Sequence, residues 1–214
     1  MTNELTTGID NTTYVSRYLD EVAPTTTAGR TVKFTKDGIF ATTDDGTPLS
    51  EDKTFVALCD ETLVGWIKFN GPGEPPERKC GLLFNGFKMP LRSELGDTDP
   101  TGWEKGLSGQ PQDPWLHQMC LVLQECDSGE LYTFVSTSNT GRRAIANLLR
   151  TYERLRVKDE VPLVKLKVSG FEHRDARVGW VKVPAFVVVG RTSRDSAFRS
   201  APTAQEILDD AIPF

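Results

Sequence analysis

From Asn70 to Trp115 the chain carries eight glycines and seven prolines in 46 positions. Such density rules out a long helix, because proline removes a backbone donor and glycine loses the most freedom on ordering. It also bars a central strand. A structureless loop of this length is uncommon inside a compact domain. The stretch therefore reads as an insertion that holds a small hairpin around CGLLFNGFKM and serves in part as a mobile binding loop. The core has to come from the sequence on either side.

Those flanks carry short apolar or alternating runs bounded by turn residues, the pattern of strands. RTVKFT and GIFATT, joined at Asp37-Gly38, form one expected hairpin. TFVALCD and LVGWIKFN lie just before the insertion. LHQMCLVLQEC and LYTFVSTS follow it, separated by the turn signal DSGE. VPLVKLKVSGF and VGWVKVPAFVVVG, linked by EHRDAR, are the last two strands. Ile145, Leu148, Leu149, Tyr152 and Leu155 form one helical stripe, with Ser138, Asn139 or Thr140 as cap and Arg142, Arg143, Arg150 and Arg154 mainly on its flanks. Val15, Tyr18, Leu19 and Val22 keep helical spacing before PTTTAG ends the pattern.

If TFVALCD and LVGWIKFN make one bent strand, the order from residue 53 is β-β-β-α-β-β. That order predicts a mainly β chain built on an OB-fold-like barrel, with an extra N-terminal hairpin, a long Gly/Pro-rich insertion and a flexible acidic C-terminal tail. The expected divisions are an N-terminal arm over 1–29, a nucleic-acid-binding domain over 30–190 with insertion 70–115, and a tail over 191–214.

No run of eighteen apolar residues exists, so no membrane span is expected, and MTNELTTGID shows no secretory leader. Cys59, Cys80, Cys120 and Cys126 are irregularly spaced; His117, Cys120 and Cys126 hint at a metal site, but no zinc pattern completes it. Buried thiols in a reduced cytoplasm are the expectation. His117 and His173, the only histidines, have no nucleophile or metal partner in sequence, and no phosphate-cradling glycine loop occurs. The Asp44-Asp45 and Asp209-Asp210 pairs fall in expected loops. The reading is a non-enzyme without cofactor or metal, with a DNA-processing nuclease as one alternative.

Charge is unevenly spread. Residues 1–138 hold 11 basic and 21 acidic side chains, residues 139–194 hold 13 and 5, and residues 195–214 hold 1 and 4. A basic segment in an acidic chain suggests a polyanion surface. Within it Gly179-Trp180-Val181-Lys182 echoes Gly65-Trp66-Ile67-Lys68. Residues two apart in a strand share a face, so each copy sets an indole beside an ammonium, the pairing that single-stranded nucleic acid uses for bases and phosphates. The same pattern also suits core tryptophans with snorkelling lysines. Trp66, Lys68, Lys165, Lys167, Trp180 and Lys182 are the nucleic-acid candidates, with Arg142 and Arg143 as weaker ones. Arg174 and Arg177 could extend the groove. Tyr132 and Phe134 are further stacking candidates, though core packing suits at least one of them.

The end Asp209-Asp210-Ala211-Ile212-Pro213-Phe214 resembles the acidic C-terminal tip of bacterial single-stranded DNA-binding proteins. Those tips finish in aspartates followed by Ile-Pro-Phe; Ala211 departs from the usual third acid. The likeness covers six residues. The short linker and long β-rich body are more similar to phage single-strand binders with elaborated OB barrels. The resemblance implies that Asp209, Asp210, Ile212, Pro213 and Phe214 contact DNA-maintenance enzymes such as exonucleases, helicases and polymerase-associated subunits. Physically, the terminal ring would fill an apolar pocket and the carboxylates a basic rim. The expectation is a single-stranded DNA-binding protein of replication, recombination and repair, a homo-oligomer as one option, in a bacterial or phage-infected cell. An adaptor or inhibitor that uses the tip without binding DNA is the rival.

Overall fold

The computed structural model describes residues 28–71, 73–106, 109–175 and 179–195. The expected helix near residues 15–22, Arg177, and the tip residues Asp209, Asp210, Ile212, Pro213 and Phe214 lie outside the described residues. Among the described residues eight strands form one sheet: β1 (Arg30–Phe34), β2 (Phe40–Thr42), β3 (Phe55–Lys68), β4 (Glu77–Leu82), β5 (Trp115–Glu125), β6 (Leu131–Ser136), β7 (Glu160–Glu172) and β8 (Trp180–Ser193). Among the described residues one α-helix, α1 (Asn139–Arg156), joins β6 to β7. No helix among the described residues is long and apolar enough to cross a membrane.

The two expected segments before the insertion are one strand, β3, and its middle is bent. Its register against β5 shifts between Leu58 and Leu63. The bend lets one strand serve three neighbours. Its first residues pair with β7 through Phe55↔Val164 and Val56↔Leu163, its last six pair with β4, and β5 lies along its other edge. The resulting path is β2-β1-β6-β5-β3-β7-β8. β1 runs parallel to β6, which places the N-terminal hairpin beyond the strand that precedes the helix.

This sheet curls into a half-barrel whose two ends face each other. β2 and β8 share no ladder, but aromatic rings meet across the seam. Phe186 of β8 lies 6.0 Å from Phe40 of β2 and 5.3 Å from Phe134 of β6. Phe55, Leu121, Leu123, Val164 and Leu166 fill the interior behind them. Aromatic contacts of this kind add about 0.5–1.5 kcal/mol each beyond area burial. Both Tyr132 and Phe134 are buried in this core, which corrects their reading as stacking candidates.

Helix α1 begins where Ser138 caps it, its hydroxyl accepting the Gly141 amide at 3.1 Å. Ile145, Leu148, Leu149 and Tyr152 face the sheet, as the stripe required. At its far end a polar bracket ties four parts of the chain together. Asp60, at the β3 bend, accepts the Tyr152 hydroxyl at 2.6 Å and pairs with Arg156 at 3.4 Å and with Arg194 just past β8. The Arg156 guanidinium lies 4.9 Å from the centre of the Phe84 ring, which itself packs edge-on to Tyr152.

The insertion is structured. Its strand, β4, pairs with β3 rather than within CGLLFNGFKM, so the hairpin lies one step earlier than the sequence suggested. Gly65 makes this possible: a Cβ there would meet the Lys79 carbonyl and the Cys80 Cα, the latter at 2.6 Å. Three short 3-10 turns, Leu83–Asn85, Arg92–Glu94 and Pro100–Gly102, carry the chain back to β5.

Candidate nucleic-acid interface

The two copies of the Gly-Trp-apolar-Lys pattern lie at opposite ends of the strand path. From the Phe55↔Val164 pairing, β3 runs one way to Trp66, while β7 and β8 run the other way to Trp180. Their surroundings differ as much as their positions.

At the first copy both side chains are engaged by the insertion. The Trp66 indole donates to the Pro90 carbonyl at 2.9 Å, and its ring lies 5.6 Å from that of His117. Lys68 pairs with Asp97 at 2.7 Å. Asp97 is the pin of this region. It also accepts the Trp115 indole at 3.2 Å, while its backbone carbonyl accepts the Trp103 indole at 2.8 Å and Arg92 at 2.9 Å. The Lys68 hydrogen bond holds the Asp97 carboxyl below its ordinary range, followed by the charge of the same ammonium. Arg92 completes the anchor through two 2.7 Å hydrogen bonds to Asp113. This network was not foreseen; its members are far apart in sequence, and the only hint was the acid and tryptophan content of the Gly/Pro stretch. Beside it opens a cleft of about 800 Å³ between Phe69, Trp103, Lys105 and Gln112.

Arg142 does not lie free on the helix flank. It is half-buried, contacts His117 Nδ1, and donates to Asn139 at 2.9 Å. Burial, and then the Arg142 charge, push the His117 imidazole below its usual range, and because a guanidinium only donates, Nδ1 is the acceptor in this contact. Arg143 is exposed. His117, Cys120 and Cys126 do not converge: Cys120 is buried and Cys126 exposed. No group of three His, Cys, Asp or Glu among the described residues is placed to hold a metal.

The second copy is open. Beyond Val164, β7 has only β8 as strand partner among the described residues, so Lys165–Glu172 and Trp180–Val187 form a two-stranded ribbon. Six of the twelve large apolar side chains left exposed among the described residues belong to β7 and β8, and Trp180, 65 % exposed, leads that group. The register pairs Gly170 with Lys182 and Glu172 with Trp180, which puts Trp180 and Lys182 on one face. Gly170 gives the indole its seat, since a Cβ there would meet Trp180 Cε2 at 2.6 Å. Lys182 reaches across the seam and donates to the Asp37 carbonyl at 2.8 Å.

Lys165 and Lys167 pair with Val187 and Ala185, so they occupy the opposite ribbon face, together with Phe171. Lys167 forms an ion pair with Glu51 at 3.0 Å. The ribbon thus divides the sequence candidates into two sets, and the insertion holds a third. Arg174, in the connection between β7 and β8, is exposed.

No protein-family description, curated protein or solved structure matches this chain.

Proposed function

We propose that the protein binds single-stranded DNA and recruits DNA-maintenance enzymes through its terminal residues. The observation that carries the DNA half is the ribbon: an open indole with a lysine on the same face, at the connection between the last two strands. Base stacking on such a ring is worth about 1–3 kcal/mol per base and tolerates any sequence. The path β6-β5-β3-β7-β8, with α1 between its third and fourth strands in chain order, supports an OB-type reading. Barrels of that type bind oligonucleotides on the second and third strands and in the loops after the first and fourth. Here those loops are the insertion and the ribbon tip, and the β1–β2 hairpin extends the sheet where the barrel would close.

Recruitment rests on Asp209, Asp210, Ile212, Pro213 and Phe214 and their likeness to single-strand binder tips. A cytoplasmic setting in a bacterial or phage-infected cell follows from that likeness.

A second reading draws on the same geometry. Lys68, Lys167, Lys182 and Arg142 all have partners within the chain, so the free positive surface is smaller than the sequence total implies. That favours an adaptor which uses the tip without coating DNA. Titration of a fluorescent dT oligomer separates the two. Micromolar or tighter binding at low salt, retained when Phe214 is deleted, supports the first reading. No binding at low salt, with tip-dependent capture of a tip-binding exonuclease intact, supports the adaptor.

A further inference from the structure

The seam between β8 and the N-terminal hairpin is held by a contact 145 residues apart in sequence. Lys182 Nζ donates to the Asp37 carbonyl, and its methylene stem lies on Gly38, where any Cβ would collide with Lys182 Cδ. Gly38 has φ of 79°, so the turn uses the left-handed backbone that glycine adopts without strain. The turn is therefore seated against the Trp180–Lys182 face. It presents Lys36, which is exposed and has no polar partner among the described residues, and Ile39, 43 % exposed.

We infer that the β1–β2 turn is the second wall of the oligonucleotide site, with Lys36 contacting phosphate and Ile39 lying against a base or sugar opposite Trp180. The inference rests on the proposed single-strand binding. The local charges support it: Lys182 shares the face of the open indole, Lys36 lies two residues before the Gly38 that Lys182 covers, and Arg174 lies two residues past Glu172, the register partner of Trp180; the acids in the same stretches are Asp37, Glu172 and Asp175. Lys182 spends one donor on Asp37 and keeps two, so it can bridge the turn and a phosphate at once. A strand crossing here has cations on both sides and one aromatic floor, the pairing non-specific single-strand binding requires.

The test is fluorescence-anisotropy titration of a labelled dT oligomer at several salt concentrations. It compares the full chain with Lys36→Ala, Gly38→Val, Trp180→Ala and the distant surface control Lys158→Ala. Lys36→Ala is expected to weaken binding about fivefold at low salt and to lower the log–log salt slope by about 0.7, one phosphate contact. Gly38→Val, which drives the turn off Lys182, is expected to weaken it at least as much with the fold retained by circular dichroism. Lys158→Ala should match the parent within twofold. If Trp180→Ala weakens binding while Lys36→Ala and Gly38→Val leave affinity and slope at parental values, the second wall is refuted and the binding function stands. If the parent itself does not bind, the function fails as well as the wall.

Discussion

Replacing Asp60 by alanine tests how the fold holds its bend. Asp60 is almost buried; the Tyr152 hydroxyl of α1 donates to its carboxylate, and Arg156 of α1 and Arg194, just past β8, pair with it. Its loss leaves the fully buried Tyr152 hydroxyl without an acceptor, a cost of about 1–3 kcal/mol. Arg156 and Arg194 are 45 % and 34 % exposed at their side chains, so each can turn to water, and each pair adds only about 0–1 kcal/mol. The desolvation cost of the carboxylate itself is relieved, which offsets part of the total. The expected net loss is about 2–3 kcal/mol, or a fall in Tm of about 4–12 °C for a chain of this size. Urea unfolding should show a lower midpoint at unchanged slope. Tyr152→Phe alone should cost about 1–2 kcal/mol, and the double variant should show a coupling of about 1 kcal/mol. Two single variants each within 0.5 kcal/mol of the parent, adding without coupling, would refute the bracket.

Other outcomes follow from the same structure. Asp97 has its folded pKa lowered by Lys68, so the contribution of this contact is present above the ordinary aspartate range and is lost as pH falls through the lower, folded value. Tryptophan emission from Trp103 and Trp115 should therefore hold steady to about pH 4 and shift red only below it; release of the insertion near pH 6 would contradict the pin. Gly65→Ala should lift β4 from β3 and open residues 70–80 to limited proteolysis, at a cost of about 1–3 kcal/mol; unchanged protection would argue against the close approach. Burial pushes the Cys120 thiol up to about 12 and Cys59 higher still, whereas Cys126 is exposed. Cys126 should react first with a thiol reagent, and Cys59 and Cys120 only on unfolding.

Sequence periodicity carried far in the hairpin, the helix and the last two strands. Each pattern there is read from residues a few positions apart, although the burial it produces is against distant strands. The bent β3 was legible for the same reason, as two apolar runs with the acidic pair Asp60-Glu61 between them. What escaped was everything set by contacts across the chain. Trp66 and Trp180 share a motif, yet Pro90 and Asp97 close over the first copy and nothing described closes over the second. Gly65 and Gly170 look interchangeable in sequence; one admits a strand and the other an indole. Arg142 reads as a flank residue, but its nearest partner, His117, is on β5. Lys165 and Lys167, two apart in a strand, share a face as the period requires, but only the register shows that Trp180 and Lys182 lie on the other.

The central claim is that Trp180, not Trp66, is the stacking surface for single-stranded DNA. The direct measurement is the affinity of Trp180→Ala and Trp66→Ala for a labelled dT oligomer at two salt concentrations, with unfolding curves for both. Loss of one stacked base predicts about 1–3 kcal/mol weaker binding for Trp180→Ala with stability unchanged. Trp66→Ala should lose stability and keep most of its affinity under conditions where it remains folded. Equal affinity of Trp180→Ala and the parent at both salt concentrations would contradict the account.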